Sequence, residues 1–247
     1  MSKKISIVTK GRIPASLTDA LEYHCYVVDS VPSYDARLRS GIFYFIINFF
    51  TFMNHQPLIL LIKEYIKRNP REDVSDLQGL INYIETDPHC FERIKKEGAK
   101  HIASNMLLFS PDYKKMLCLW HTKIKAWTFP GGHCDGDSDV HAVAQKELLE
   151  ETGITDIEIA DPVPFHIQRF DYKKEVYGYA KSIYAFFFIA PLPDGQQPKI
   201  MEPDKCEKMH WFLPEEFTDL TKDDTYNINK SILKKWRNKI NDEAVSA

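Results

Sequence analysis

The stretch 131–154 reads GGHCDGDSDVHAVAQKELLEETGI and joins a glycine-rich turn directly to a helix with several acidic residues. Ser138 or Asp139 is suited to cap the start of this helix, because a short polar side chain accepts hydrogen bonds from the first turn. Gly153 suits the left-handed position just after the helix ends. These signals predict a helix over residues 139–152.

Three glutamates lie on one face of the predicted helix, since Glu147, Glu150 and Glu151 stand at positions i, i+3 and i+4. Like charges at this spacing repel each other by about 0.2–0.5 kcal/mol per pair. A bound Mg²⁺ converts such repulsion into coordination, because it prefers carboxylate oxygens and keeps several waters for a phosphate-bearing substrate. A solvated helix face is the alternative explanation, since glutamate is a good helix former.

The chain on both sides of this helix has the pattern of strands and turns. Apolar runs at 102–110 and 115–121 flank Pro111-Asp112-Tyr113, a favourable turn sequence, and predict a hairpin. Further strands are predicted at 157–159, 163–172, 182–190 and 208–212, before a short helix from Pro214 and an amphipathic helix over 228–240. Strands that surround a single central helix predict an α/β or α+β sandwich.

The first part of the chain has a helical pattern instead. Helices are predicted over 16–24 and 75–96, and Asp87-Pro88 is expected to break or bend the second of them. The pattern changes near residue 98. We therefore expect a helical N-terminal region over residues 1–97 and a second domain over residues 98–247.

Two apolar runs, at 42–53 and 58–62, together approach the length of a membrane span. Asn48 interrupts the first run and a polar segment ending in Pro57 separates the two, so no unbroken stretch reaches about 20 apolar residues. We predict two buried helices joined near Pro57 and no interaction with a membrane. Attachment to a membrane surface, or a face that binds a partner, is the alternative.

The composition describes a globular chain with no strong overall charge. Among 247 residues, 32 Lys and Arg oppose 35 Asp and Glu, so no field favours nucleic acid, and an anionic substrate needs a local cation site. The five cysteines are scattered and contain no C-x-x-C pair, which favours a reducing compartment. The N-terminus lacks the apolar core of a secretory signal. We expect a cytoplasmic protein.

The order of residues in 131–154 resembles the Nudix box, G-x5-E-x7-R-E-U-x-E-E-x-G-U, in which U is a bulky apolar residue. Gly132 opens the match, and KELLEETGI at 146–154 closes it. Two positions depart from the pattern, because Ser138 stands where the first glutamate is expected and Lys146 replaces the arginine. Lys146 keeps the positive charge but lacks the planar fork that holds carboxylates at two points.

The resemblance extends beyond the box. The segments HIAS from 101, WTFPGGH from 127, DGD from 135 and WFLP from 211 are similar to a bacterial-type Nudix subgroup with a GGH-x-DGD turn and a short helical lead-in. This similarity covers roughly residues 75–217 and does not extend to residues 1–70. At 177–181, YGYAK replaces a histidine-rich segment of that subgroup, so the subgroup's substrate preference does not carry over.

The family resemblance implies a fold and an activity. The implied fold is an α/β/α sandwich with a mixed β-sheet, here preceded by a helical N-terminal extension. The implied activity is that of a metal-dependent hydrolase with Mg²⁺ or Mn²⁺, which cleaves the diphosphate linkage of a nucleoside diphosphate joined to another group. Water attacks phosphorus in this reaction. A small nucleotide-type molecule is the expected substrate, and a homodimer is possible.

The resemblance also implies roles for individual residues. It makes Glu147, Glu150 and Glu151 metal ligands, and it makes Glu147 or Glu150 the first choice for activating water. A further acidic ligand is expected from a loop before the late Trp-Phe strand. There we favour Glu202 over Asp204 and Glu207.

The substrate-binding residues are less specific. Gly131 and Gly132 permit a tight turn and let the box loop approach phosphate. His133 is predicted either to contact phosphate or to cap the loop. Arg169 is predicted to hold a phosphate or a ribose, with a surface salt bridge as the alternative.

Two other functions fit the same fold. Isopentenyl-diphosphate isomerase has a Cys-Gly-His turn, but glycine stands at the corresponding cysteine position here, in Gly131-Gly132-His133. A nucleotide-binding module without turnover is compatible with Ser138 and Lys146. Retention of all three helix glutamates argues against such a module, since pure binding has less need of a metal face.

Overall fold

A computed structural model describes residues 55–172, 178–179, 181–216 and 232–238. In this part of the chain the elements are α1 over 55–68, α2 Ser75–Thr86, β1 Ala99–Phe109, β2 Met116–His121, β3 Ala126–Thr128, β4 Gly131–His133, α3 Val140–Thr152, β5 His166–Tyr172, β6 Lys181–Pro191, β7 Cys206–Phe212 and α4 over 232–238. The helix predicted at 16–24 and the apolar run at 42–53 lie outside the described residues. The run at 58–62 lies within α1.

The strands form one mixed sheet with the order β3-β2-β1-β6-β5. Strands β1 and β6 are parallel, in register from Ala99 opposite Lys181 to Phe109 opposite Pro191. The other pairings are antiparallel, and they add β4 to β1 and β7 to β2. Because β4 pairs with β1, the glycine-rich segment lies beside the central strand of the sheet.

Both faces of the sheet are covered by helices. One apolar cluster packs α1, α2 and α3 against the sheet, with Ile59, Leu80 and Leu148 among its fully buried members. The other cluster packs Ile232 and Trp236 of α4 against the opposite face. The observed fold confirms the expected α/β/α sandwich with a mixed sheet.

Helix α3 has the ends that its sequence predicts. The Asp139 carboxylate accepts hydrogen bonds from the backbone N–H groups of His141 and Ala142, and Gly153 follows the helix with a φ of 73°. The predicted hairpin is also confirmed by β1 and β2. Helix α2 ends at Thr86, directly before the Asp87-Pro88 pair that was expected to break it.

The strand predicted at 157–159 is wrong, because the segment between α3 and β5 is irregular. Asp156 has a φ of 52°, which bends the chain out of an extended conformation. Pro162 and Pro164 lack the backbone N–H that a strand needs, and the strand predicted at 163–172 begins only at His166. The segment keeps a hydrogen bond from the Ala160 N–H to the Ile189 carbonyl, so it follows the sheet edge without extending it.

The turn after α2 connects the helical lead-in to the box loop. Cys90 and Phe91 are buried in the core, and the Phe91 carbonyl accepts a hydrogen bond from the Gly136 N–H. The Arg93 guanidinium donates to both oxygens of Asp135, at 2.9 and 2.8 Å. Residues on both sides of position 98 thus contribute to one core, while the division into 1–97 and 98–247 stays a prediction.

None of the helices within the described ranges has both the length and the apolar character needed to cross a membrane.

A buried polar network joins α1, β5 and α4. The Lys235 ammonium donates to the Tyr65 hydroxyl at 2.9 Å and lies 2.7 Å from a Glu72 carboxylate oxygen. His166 Nδ1 lies 3.2 Å from the same hydroxyl, and its Nε2 lies 3.3 Å from the Gln168 side-chain oxygen. The pKa of His166 is lowered to about 4, chiefly by burial and also by the Lys235 charge, while Glu72 acts in the opposite direction.

This network predicts a loss of stability in acid. The pKa of His166 is lower in the folded state than its usual value of about 6.5. The neutral imidazole therefore makes its full contribution to stability above about pH 6.5, and this contribution is lost as the pH falls through 4. Between about pH 7 and pH 4 we expect His166 to account for about 2–3 kcal/mol of lost unfolding free energy. Urea unfolding of His166→Gln should show a correspondingly smaller loss. His210→Gln, which changes an exposed histidine of β7, should lose as much as the unmodified protein.

Candidate active site

The glycine-rich strand β4 lies directly against the acidic face of α3. The Gly131 N–H donates a hydrogen bond to Oε2 of Glu151 at 3.1 Å. Gly132 crosses the Glu147 carboxylate so closely that an added Cβ would lie under 3.0 Å from all three carboxylate atoms. Real Cβ atoms essentially never approach that closely, so Glu147 occupies its position because residue 132 has no side chain.

Glu147 and Glu151 are both buried, at 6% and 5% exposure, in a site that penalises their negative charges. The pKa of Glu151 is raised to about 8, chiefly by burial and also by the Glu147 charge, while the Gly131 hydrogen bond acts in the opposite direction. Burial also raises the pKa of Glu147. The ionised form of these two carboxylates would be stabilised by a positive charge nearby.

Glu150 differs from its neighbours because it is exposed. Its carboxylate lies 3.7 Å from the ammonium of Lys146, the residue that replaces the box arginine. The charge of Glu150 nevertheless contributes to the raised pKa of Glu147, so the two carboxylates are electrostatic neighbours. The helix therefore presents all three glutamates around one region.

Glu202 reaches this region from a loop tied to the end of α3. The Lys199 N–H donates to the Thr152 carbonyl at 2.9 Å, and the Met201 N–H donates to the Glu151 carbonyl at 3.1 Å. The Glu202 charge contributes to the raised pKa values of Glu147 and Glu151. The structure thus brings the favoured fourth acid to the box.

The two acids that compete with Glu202 make other contacts. Glu207 pairs with Lys208 at 3.6 Å. The backbone carbonyl of Asp204 accepts a hydrogen bond from the Thr122 hydroxyl at 3.0 Å. These contacts are with β7 and with the turn after β2, not with α3.

Lys205 is a cation of the site that sequence reasoning missed. Its Nζ lies 2.7 Å from Oε2 of Glu202, and the two groups form an ion pair whose angles do not meet hydrogen-bond geometry. Burial lowers the pKa of Lys205, but Glu202 and the charges of Glu147 and Glu151 raise it above the usual value. In the part of the chain that the structure describes, no three His, Cys, Asp or Glu side chains form a ready-made metal site.

The chemistry of the acidic set fits a hard divalent cation. Its four members, Glu147, Glu150, Glu151 and Glu202, offer oxygen ligands, which Mg²⁺ and Mn²⁺ prefer. The close passage of Gly132 over Glu147 keeps the backbone near these oxygens. A bound cation would offset the burial, and the smaller repulsion between the acids, that raise the pKa values of the two buried members.

His133 lies on the other face of the sheet from Glu147, because adjacent strand residues point to opposite faces and Gly132 faces the glutamate. Its Nε2 lies 3.2 Å from Nζ of the buried Lys181, and its ring meets the His101 ring edge to face. The pKa of His133 is lowered to about 2, first by burial and then by the charges of Lys181 and Arg93. His133 is therefore neutral, and its phosphate contact stays a prediction.

Arg169 lies away from the acidic set. Its guanidinium donates to Asp76 at 3.1 Å and to Asp171 at 3.2 Å, which joins α2 to β5. These contacts match the salt-bridge alternative, and the structure does not bring Arg169 to the box. Its role toward substrate stays a prediction.

Comparison with known proteins gives a family match and several structural matches. The family model for the NUDIX domain matches residues 99–235. No curated protein matches the chain. An Ap4A hydrolase from C. elegans, in a binary complex, is 21% identical with a TM-score of 0.44, over 57% of this chain and 97% of that one.

Two further solved structures are similar over comparable lengths. A MutT protein from Methanosarcina mazei Go1 is 17% identical with a TM-score of 0.43, over 60% of this chain and 98% of that one. The dihydroneopterin triphosphate pyrophosphohydrolase of E. coli is 17% identical with a TM-score of 0.45, over 56% of this chain and 97% of that one.

Proposed function

Because this chain belongs to the Nudix hydrolase family, whose enzymes are pyrophosphohydrolases of nucleoside diphosphate derivatives, we propose that it cleaves a diphosphate linkage with a divalent metal. The observation that supports this most directly is the passage of Gly132 over the buried Glu147 carboxylate. Two neighbouring contacts add support, because the Gly131 N–H donates to Glu151 and the loop that carries Glu202 bonds to the end of α3. We further propose that the chain belongs to the GGH-x-DGD subgroup.

The proposed metal ligands are Glu147, Glu150, Glu151 and Glu202. Bound Mg²⁺ or Mn²⁺ would neutralise the diphosphate and lower the pKa of a water molecule. The hydrogen bond from Gly131 holds the Glu151 carboxylate in place. Glu147 or Glu150 accepts the proton of the attacking water, and the attacked phosphorus loses its bond to the bridging oxygen.

The glycine-rich strand is proposed to receive the substrate. Gly131 and Gly132 are proposed to let the box loop bring its backbone close to the substrate's phosphates, beside the acidic set. His133 is proposed to contact phosphate and Arg169 to bind a phosphate or ribose. A small nucleotide-type molecule is the proposed substrate.

The isomerase alternative lacks its catalytic cysteine here. Gly131 replaces the cysteine of the isomerase turn, and the nearby Cys134 is buried. Burial raises the pKa of the Cys134 thiol well above its usual range, so it carries no thiolate at neutral pH. The remaining alternative is a nucleotide-binding module without turnover.

Metal-dependent turnover of nucleoside diphosphate derivatives tests the proposal. We expect the full chain to release phosphate or nucleoside monophosphate from at least one of ADP-ribose, dinucleoside polyphosphates, nucleotide sugars or nucleoside triphosphates with Mg²⁺ or Mn²⁺. The double variant Glu150→Gln/Glu151→Gln should lose this activity, because both carboxylate charges are removed with little change in shape. Coupled phosphate detection and chromatography of products measure both proteins side by side.

The alternatives give different results in the same assay. A binding module would bind Mn²⁺ and nucleotide but release no product from any member of the panel. An isomerase would convert isopentenyl diphosphate without releasing phosphate. Either result, with no hydrolysis above the double variant, would contradict the proposed function.

A further inference from the structure

Lys205 is held by its backbone at the edge of the acidic set. Its N–H and that of Cys206 both donate to the Glu202 carbonyl, at 3.0 and 2.9 Å. Its own carbonyl accepts from the Thr122 N–H at 2.8 Å and from the Thr122 hydroxyl at 3.0 Å. The main chain is thus fixed from both sides, while the side chain is 46% exposed and keeps its own freedom.

The ammonium of Lys205 interacts with more than one of the proposed metal ligands. It pairs with Glu202 at 2.7 Å and acts electrostatically on the buried Glu147 and Glu151. Lys146 pairs with the remaining carboxylate, Glu150. Glu202 and Glu150 therefore each pair with a lysine, and the two buried glutamates interact electrostatically with Lys205.

We propose that Lys205 is a tethered counter-cation that neutralises the acidic set before metal binds, and that its ammonium then transfers from Glu202 to an anionic oxygen of the substrate's diphosphate. This inference rests on the proposed function. A divalent cation and the ammonium compete for the same Glu202 oxygen, and repulsion between them favours release of the lysine. The flexible four-carbon stem then lets the ammonium reach a phosphate oxygen from a fixed main chain.

The two halves of this role predict effects of opposite sign when the ammonium is removed. Metal alone should bind more tightly to Lys205→Met, because a competing cation has been lost. A diphosphate should bind more weakly to the metal-loaded variant, because a charged hydrogen bond has been lost. A lysine that merely supported the carboxylates would weaken both when removed.

Calorimetric titration of the full chain measures both effects without turnover. With Mn²⁺ alone, we expect the Kd of Lys205→Met to fall by about three- to fivefold, as for loss of an exposed ion pair. With Mn²⁺ saturating, we expect the Kd of the non-hydrolysable adenosine α,β-methylene diphosphate to rise by about tenfold. Lys205→Arg keeps the charge and should stay near the wild-type value in the first titration.

Lys208→Met is the matched control, since it removes the same charge from the neighbouring strand β7. The Lys208 ammonium faces Glu207 at 3.6 Å and the Trp120 ring at 5.9 Å, not the acidic set. Both of its Kd values should equal those of the wild-type protein. If the Kd values changed as much in Lys208→Met as in Lys205→Met, the effect would come from the loss of any positive charge. That result would overturn the inference.

The remaining outcomes separate the inference from the proposed function. If the wild-type protein binds Mn²⁺ and Lys205→Met changes neither Kd, or weakens both, the role of Lys205 is refuted while the metal site stands. If the wild-type protein binds no Mn²⁺ at millimolar concentration, the proposed function fails and the inference fails with it.

Discussion

Replacing Glu147 by glutamine is expected to lower kcat/KM by about 10²- to 10³-fold while the protein remains folded. The Glu147 carboxylate is buried beneath Gly132 at the centre of the acidic set. Glutamine has nearly the same shape, so it preserves the packing but removes the charge that metal binding and proton transfer require. Steady-state kinetics on the best substrate of the panel, with Mg²⁺ saturating, measures the loss.

The same substitution has a second expected result in the metal-free protein. Burial raises the pKa of Glu147, which means that the folded state disfavours its charge. The glutamine variant should therefore have an equal or higher Tm without metal, and it should gain less stability than the wild-type protein when Mn²⁺ is added. Lost activity combined with lost stability would instead indicate a structural role.

Glu158→Gln provides the control for charge and residue type. Glu158 is exposed in the irregular segment after α3, and removing its charge should leave both kcat/KM and Tm unchanged. If Glu147→Gln kept its activity within about threefold of this control, the central position of Glu147 in the chemistry would be disproved.

The box helix was predictable from sequence because its signals are local. Capping by Asp139 and the left-handed Gly153 depend on residues within one turn of the helix ends, and both are observed. The spacing of the glutamates likewise fixes their positions around one helix axis. Spacing could not separate the buried Glu147 and Glu151 from the exposed Glu150, because burial depends on what packs against the helix.

The residues that sequence reasoning missed are brought to their sites by tertiary contacts. Lys181 meets His133 through strand pairings of β1 with both β4 and β6. Lys205 meets the box because the loop before β7 bonds to the end of α3. Arg169 pairs with Asp76, far away in the sequence, and no local pattern indicates that partner. The sequence did contain a signal for Lys205, because this lysine stands three positions after the favoured Glu202.

Replacing Gly132 by alanine is expected to lower kcat/KM by about 10²-fold, although the substituted residue has no chemistry of its own. The added methyl group would occupy the space of the Glu147 carboxylate, so this side chain must move away from the other acids. We also expect a loss of about 1–3 kcal/mol in unfolding free energy, as for overpacking of a close contact. Kinetics with Mg²⁺ and urea unfolding without metal measure the two effects.

Gly79→Ala makes the same chemical change where there is room for it. Gly79 lies within α2, and the nearest atom to an added Cβ is the Tyr184 hydroxyl oxygen at an ordinary 3.8 Å. Alanine is favoured over glycine in a helix, so this variant should be more stable by about 0.5–1 kcal/mol and fully active. The opposite signs at the two glycines separate local crowding from a general effect of the substitution.

A double-mutant cycle then tests whether the crowding at Gly132 comes from Glu147. In a Glu147→Ala background the carboxylate is absent, so Gly132→Ala should cost far less unfolding free energy than it costs in the wild-type protein. The difference between the two costs measures the contact between residue 132 and the carboxylate. If Gly132→Ala lowered the unfolding free energy by the same amount in both backgrounds, glycine would be needed at 132 for another reason. The close contact between Gly132 and Glu147 would then no longer support the proposed site.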